Sequence, residues 1–116
     1  MISRRVGMWL LSAFTIGVCA AAALFPRTPQ PLAYHDFADK RAWLGIPNFG
    51  DVVSNVAFAI AGAWGLIWLA SPTARERFVE GRERWAYFAV FLGLLLTAFG
   101  SSYYHLAPDN ARLVWD

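Results

Sequence analysis

The stretch WAYFAVFLGLLLTAFGSSYYHLAPDN, residues 85–110, decides the fold. Residues 85–104 carry no charge, and about 20 residues at about 1.5 Å each are the length that a helix needs to cross a bilayer. Ser101 and His105 are four residues apart, so a helix places them on one face, which Gly93 and Thr97 are predicted to continue. Because an ionisable side chain inside a spanning helix is costly, His105 is a candidate functional residue.

The composition is that of a membrane protein. Of 116 residues, 58% are hydrophobic and 16% are charged, and residues 6–26, 52–74 and 85–107 hold no charged side chain apart from His105. We therefore predict an all-α integral membrane helical bundle with three spans. No basic face suggests nucleic-acid binding. The single cysteine, Cys19, excludes an internal disulfide and a multi-cysteine metal site.

The arginines predict the topology. Arg4 and Arg5 precede the first apolar run, and residues 74–84 contain four more arginines, so the positive-inside rule predicts both segments to be cytoplasmic. Ser101 and His105 then lie near the outer surface. The first run is long enough for a retained anchor, although the alanines at 20–23 would also suit signal-peptide cleavage. Residues 1–33 are thus read as an anchor and linker, and residues 34–116 as the main membrane domain.

Local signals refine the remaining elements. We expect an interfacial helix near residues 37–44 and a second span that begins with Asp51 as its N-cap. Ala57, Ala61 and Gly65 form a stripe of small residues at which another helix can approach. Residues 111–116 begin a fourth helix, which we expect to continue in a longer protein.

Ser101 and His105 are compatible with two kinds of chemistry. In a serine hydrolase, His105 is the general base for Ser101, although two side chains on one helix suit that mechanism poorly. In a zinc hydrolase, His105 is a metal ligand and Ser101 donates a hydrogen bond to the oxyanion. A purely structural alternative is an interfacial histidine bonded to a backbone carbonyl or to Asp109, with Ser101 as a small packing residue.

A second polar cluster surrounds the start of the second span. Asp36, Asp39, Asn48 and Asp51 supply the hard oxygen ligands that calcium prefers. Their spacing matches no EF-hand. Helix capping and solvated loop charges, with Lys40 and Arg41 nearby, explain the same residues without a metal.

Together these segments resemble the alkaline ceramidases, a family of seven-helix membrane hydrolases. The resemblance is carried by YHDFAD at residues 34–39, GIPNFGDVVSN at 45–55, GSSYYHLAPDN at 100–110 and RLVWD at 112–116. It implies a zinc-dependent amidase that cleaves ceramide-like lipids to a sphingoid base and a fatty acid.

The resemblance also implies roles for individual residues. His105 matches the first of three zinc histidines, and the other two lie near the family's C-terminus. Ser101 matches the serine that holds the substrate carbonyl and oxyanion, and Asp116 matches the aspartate that shuttles a proton. Calcium is implied at Asp36, the carbonyl of Phe37, Asp39 and Asn48.

Two non-enzymatic alternatives stay open at this stage. One is a lipid-binding or receptor-like member of the same superfamily that does not turn its ligand over. The other is a structural membrane protein, because three spans can fold together without completing a three-histidine site.

Overall fold

The computed structural model describes residues 3–37 and 39–116, and this part of the chain is helical. Its α-helices are α1 (Arg4–Leu24), α2 (Phe49–Ser54), α3 (Val56–Ala70), α4 (Pro72–Arg77) and α5 (Glu83–Leu106), with short 3-10 helices at Leu32–His35 and Leu113–Trp115. Three helical segments are long and apolar enough to span a membrane: Arg4–Leu24, Phe49–Ala70 and Glu83–Leu106. The predicted all-α fold with three spans is confirmed.

Helices α3 and α5 form the packed centre of the structure. Gly62 and Gly65 of α3 are buried, and a Cβ atom added at Gly62 would lie 2.7 Å from the backbone of Phe91 and Leu95. The ring of Phe91 occupies the space beside Gly65. The absence of two side chains therefore lets α5 approach α3 closely enough for side chain to meet backbone.

The stripe of small residues is only partly the one predicted. Gly65 is buried as expected, but Ala57 and Ala61 are exposed, and Gly62 and Leu69 complete the buried face. Steps of four residues drift around a helix with 3.6 residues per turn. The buried residues of α3, which are Gly62, Gly65 and Leu69, are instead spaced three and then four residues apart.

The same drift corrects the predicted polar face of α5. Ser101 is buried, as are Ala98 and Tyr104, but Gly93 and Thr97 are exposed. Gly93 precedes Ser101 by eight residues, which rotates it about 80° away around an α-helix. The polar residues of α5 therefore do not form one continuous buried face.

The second span contains a break at Asn55. Its side chain is 5% exposed, and Nδ2 donates to the carbonyl of Asp51 at 3.1 Å. Asp51 is not the N-cap that we predicted. Asn48, with φ of 48°, occupies the N-cap position. Asp51 lies in the first turn of α2, where its negative charge interacts favourably with the positive end of the helix dipole.

The loop before α2 differs from the prediction. Its helical turn is Leu32–His35 rather than residues 37–44, of which Ala38 lies outside the described residues. Trp43 and Ile46 exchange backbone hydrogen bonds across Leu44 and Gly45, whose φ angles are 52° and 78°. Two successive positive φ values are typical of the tight turn of a hairpin, which excludes a helix there.

Helix α1 has no buried residue, and among the described residues its first turn and the segment that follows it hold it to the rest of the chain. Arg4 lies 3.4 Å from Glu80, which precedes α5. After α1, the backbone of Gln30 exchanges two hydrogen bonds with the Asn110 side chain at 2.7 and 3.1 Å. Helix α1 therefore runs in the same direction as α5, as alternating spans require.

Substituting Gly65 should disrupt the α3–α5 contact. Gly65→Leu forces a side chain into the space of Phe91, and overpacking of this kind costs about 1–3 kcal/mol of unfolding free energy. Ala61→Leu, on the exposed side of α3, is the matched control and should change stability little. Unfolding titrations in mixed micelles measure both variants, and equal losses would contradict this packing.

Candidate functional site

Five residues gather where the end of α5 meets the loop before α2. They form the histidine cluster, which comprises His35, Phe37, Asn48, Tyr104 and His105. Tyr104 is at its centre and is 1% exposed. Its hydroxyl lies 2.7 Å from Nδ1 of His35, and its ring meets Phe37 edge-on with centroids 5.6 Å apart. These contacts hold the loop against the end of the third span.

His105 has a buried ring nitrogen with nothing to bind. Its Nδ1 has no hydrogen-bond partner within the described residues, and the Phe37 ring lies 4.6 Å away between centroids. Burying a polar atom without a partner is costly, so buried nitrogens normally have a ligand. An unpartnered imidazole nitrogen fits the predicted role of His105 as a metal ligand.

The structural alternative for His105 is a hydrogen bond from its ring to a backbone carbonyl or to Asp109, and Nδ1 makes neither bond within the described residues. Asp109 accepts hydrogen bonds from the backbone and the guanidinium of Arg112, at 2.7 and 3.2 Å. It is therefore engaged in a turn of its own. The backbone carbonyl of His105, in contrast, is satisfied by Nδ2 of Asn48 at 2.8 Å. This bond supplies one of the partners that a helix C-terminus needs.

Ser101 lies one helical turn before His105 and is 8% exposed. The preceding residue, Gly100, lies against the backbone of Trp115, whose carbonyl oxygen occupies the space that a Cβ atom would need. The chain after α5 therefore folds back onto the helix beside Ser101.

This return of the chain brings Asp116 to the same end of α5 as Ser101. Arg112 stabilises the turn by donating to the carbonyl of Ala107 at 2.7 Å and lying over the Tyr103 ring. Asp116 itself is exposed. The structure thus assembles two predicted catalytic residues and one predicted zinc ligand at one end of the bundle.

The predicted calcium ligands have separate partners. Asp36 pairs with Lys40 at 2.6 Å, Asp39 pairs with Arg41, and the amide of Asn48 donates to His105. Within residues 3–37 and 39–116, no three histidine, cysteine or acidic side chains come together as a metal-binding group. A calcium ion here would have to replace the two cations.

Asp39 fixes the loop to the start of α2. Its carboxylate is 13% exposed and accepts from Nε of Arg41 at 2.6 Å and from the backbone of Gly50 at 2.5 Å. The hydrogen bond from the Arg41 side chain is the main reason that the pKa of Asp39 falls from 3.8 to about 2. The backbone N–H groups of Gly50 and Arg41 also lower this pKa, whereas burial raises it.

Sequence reasoning missed His35 and Tyr104 as members of the cluster. Tyr104 counted only as part of an apolar run, and His35 only as the second histidine of the chain. Nε2 of His35 and Oδ2 of Asp51 are buried without a hydrogen-bond partner in the described part of the chain. Two segments of the resemblance were the available signals, since YHDFAD contains His35 and GSSYYHLAPDN contains Tyr104.

The Asp39 contacts predict an acid-sensitive loop. Because the folded state lowers this pKa, the carboxylate contributes stability above pH 3.8 that is lost as the pH falls through about 2. Asp39→Asn should therefore lower the thermal midpoint at neutral pH, and its difference from wild type should shrink toward pH 2. In calcium-free buffer, Asp36→Asn removes only an exposed ion pair, so it is the control and should have little effect at neutral pH. A pH-independent difference for Asp39→Asn would contradict the assignment.

Comparison with known proteins adds no relative to these observations. No family model, curated protein sequence or solved structure matches this chain. The resemblance to the alkaline ceramidases therefore rests on the four sequence segments alone.

Proposed function

We propose that the protein is a membrane zinc-dependent amidase that hydrolyses ceramide-like N-acyl sphingolipids to a sphingoid base and a fatty acid. The observation that carries this proposal is the buried, unpartnered Nδ1 of His105, one helical turn from the buried Ser101. The resemblance to the alkaline ceramidases implies catalytic roles for the same two residues. A lipid amide suits this position, because its acyl chains can stay in the membrane while the amide meets the polar end of α5.

His105 would hold the zinc together with two histidines that the resemblance places later in the family sequence. Zinc bound in this way supplies a water molecule whose pKa is near neutrality and a Lewis acid for the amide carbonyl. Asn48 and Phe37 would keep His105 in place, through the bond to its carbonyl and the ring contact. Loss of residues that orient a metal ligand typically costs about 10- to 100-fold in metal affinity or activity.

Ser101 and Asp116 would act on the substrate. The Ser101 hydroxyl would donate a hydrogen bond to the carbonyl oxygen of the amide, and more strongly as that oxygen becomes an oxyanion. Asp116 would accept a proton from the attacking water and return it to the amine of the departing sphingoid base. Its exposure leaves the carboxylate free to exchange protons.

Calcium at Asp36, Phe37, Asp39 and Asn48 is part of the same proposal. The support is positional, because Phe37 and Asn48 both contact His105. Calcium in this loop would replace Lys40 and Arg41 as the counter-charge of the two aspartates. The metal would then stabilise the loop that covers His105.

The proposed topology places the N-terminus in the cytoplasm and the histidine cluster near the outer surface. It is supported by the contact between Arg4 and Glu80, which brings the basic N-terminus to the same end of the bundle as the arginine-rich connection. Two basic segments at one end satisfy the positive-inside rule together.

Removing the proposed zinc ligand should abolish both metal binding and activity. In protein purified from the native reading frame, His105→Ala should reduce zinc content to background and eliminate cleavage of a fluorescent ceramide. Elemental analysis by mass spectrometry measures the zinc, and His35→Gln is the matched histidine control, which should retain it. Zinc and amidase activity that both survive in His105→Ala would refute the proposal.

Removing the Ser101 hydroxyl should affect catalysis without affecting the metal. Loss of one oxyanion donor typically lowers kcat by about 10²- to 10³-fold, and we expect this for Ser101→Ala with unchanged zinc. Ser102→Ala removes the neighbouring hydroxyl and should stay near the wild-type rate. A wild-type protein that binds ceramide but never cleaves it would instead favour a lipid-binding or receptor-like function.

A further inference from the structure

A cavity of about 420 Å³ lies between α3 and α5, at the opposite end of the helix pair from the histidine cluster. Its lining is mostly apolar and includes Leu66, Leu69, Ala70, Trp85 and Phe88. The one charged side chain in the lining is Arg84. An apolar cavity with a single cation is unlike the histidine cluster in both its chemistry and its position.

Arg84 lacks a counter-charge. One of its terminal nitrogens donates to the carbonyl of Leu69, but its Nε is buried and has no hydrogen-bond partner in the described part of the chain. No carboxylate among the described residues pairs with it, whereas Arg82 pairs with Glu80 at 2.7 Å. A partly buried guanidinium without an anion is unfavourable, so this arrangement favours an anionic ligand.

The position of the cavity identifies the class of anion. It lies where α3 ends at Ala70 and α5 begins at Glu83, which is where spanning helices meet lipid headgroups. Trp85 is 70% exposed beside it, as is typical of aromatic residues at a membrane interface. The planar guanidinium matches the geometry of a phosphate, and basic pockets between spanning helices are typical sites for lipid headgroups.

The apolar lining distinguishes a lipid from free phosphate. Leu66 lies closer to the middle of α3 than Ala70 does. Phe88 likewise lies closer to the middle of α5 than Arg84 does. A hydrocarbon chain would fill the apolar part of the cavity and make close contacts with these side chains, and inorganic phosphate would not.

We propose that the cavity binds an anionic phospholipid, with its phosphate on Arg84 and part of an acyl chain against Leu66 and Phe88. The site is independent of the proposed amidase chemistry, since the two lie at opposite ends of the α3–α5 pair. The lipid would join the two helices at the end where a short connection links them.

Native mass spectrometry of the full chain, purified in a non-ionic detergent, tests this site. The probes are phosphatidylglycerol and phosphatidylcholine with identical acyl chains, because the first is anionic and the second carries a cation that neutralises its phosphate. Wild type should retain phosphatidylglycerol preferentially, and Arg84→Gln should lose that preference by about tenfold, as expected when a charge-assisted contact of about 1.4 kcal/mol is removed. Arg82→Gln is the matched control. The Arg82 side chain is 66% exposed, so this variant should keep the preference.

A second variant tests the cavity while retaining the charge. Ala70→Phe should fill part of the space beside Arg84 and weaken retention of both lipids, with helicity unchanged by circular dichroism. It decides the question even if Arg84→Gln does not fold. Three results would overturn the proposal: equal losses in Arg84→Gln and Arg82→Gln, no lipid preference in wild type, or full displacement of the lipid by millimolar inorganic phosphate.

Discussion

The close approach of α5 to α3 is the contact on which the rest of the structure depends. It is possible because Gly62 and Gly65 present no side chain to Phe91 and Leu95. Lipid tails are as apolar as leucine, so helices in a bilayer associate through close packing rather than through the hydrophobic effect. This one contact determines the relative position of both ends of the pair. At one end it brings Asn48 to His105, and at the other it forms the cavity around Arg84.

The spans could be predicted from sequence because uncharged runs of sufficient length have few alternatives in a helical protein. The helix faces were harder to predict. Gly93 and Thr97 were assigned to the face of Ser101 by counting in fours, but the helical period rotates them away. The buried face of α3 differs from the prediction for the same reason, because Gly62 and not Ala61 faces α5. Composition thus predicts that a helix forms, while its buried side depends on the partner helix.

The candidate site shows a similar division. Ser101 and His105 were predictable because they are neighbours on one helix, and their spacing alone places them together. The bond between His35 and Tyr104 joins residues 69 positions apart, and no local pattern encodes such a contact. Asn48 was predicted for its oxygen, yet its amide nitrogen is the atom that reaches His105. The loop is held by these distant contacts as well as by its own turn and by Asp39, so its position depends on the packed helices in addition to its own sequence.

The central proposal is that His105, whose Nδ1 is buried without a hydrogen-bond partner in the described part of the chain, binds zinc. The most direct test is anomalous scattering at the zinc absorption edge from crystals of the native protein. Our account predicts an anomalous peak about 2.0–2.1 Å from a ring nitrogen of His105, the usual distance between zinc and imidazole. A zinc-replete crystal without such a peak, or with His105 Nδ1 bonded to another side chain, would contradict it.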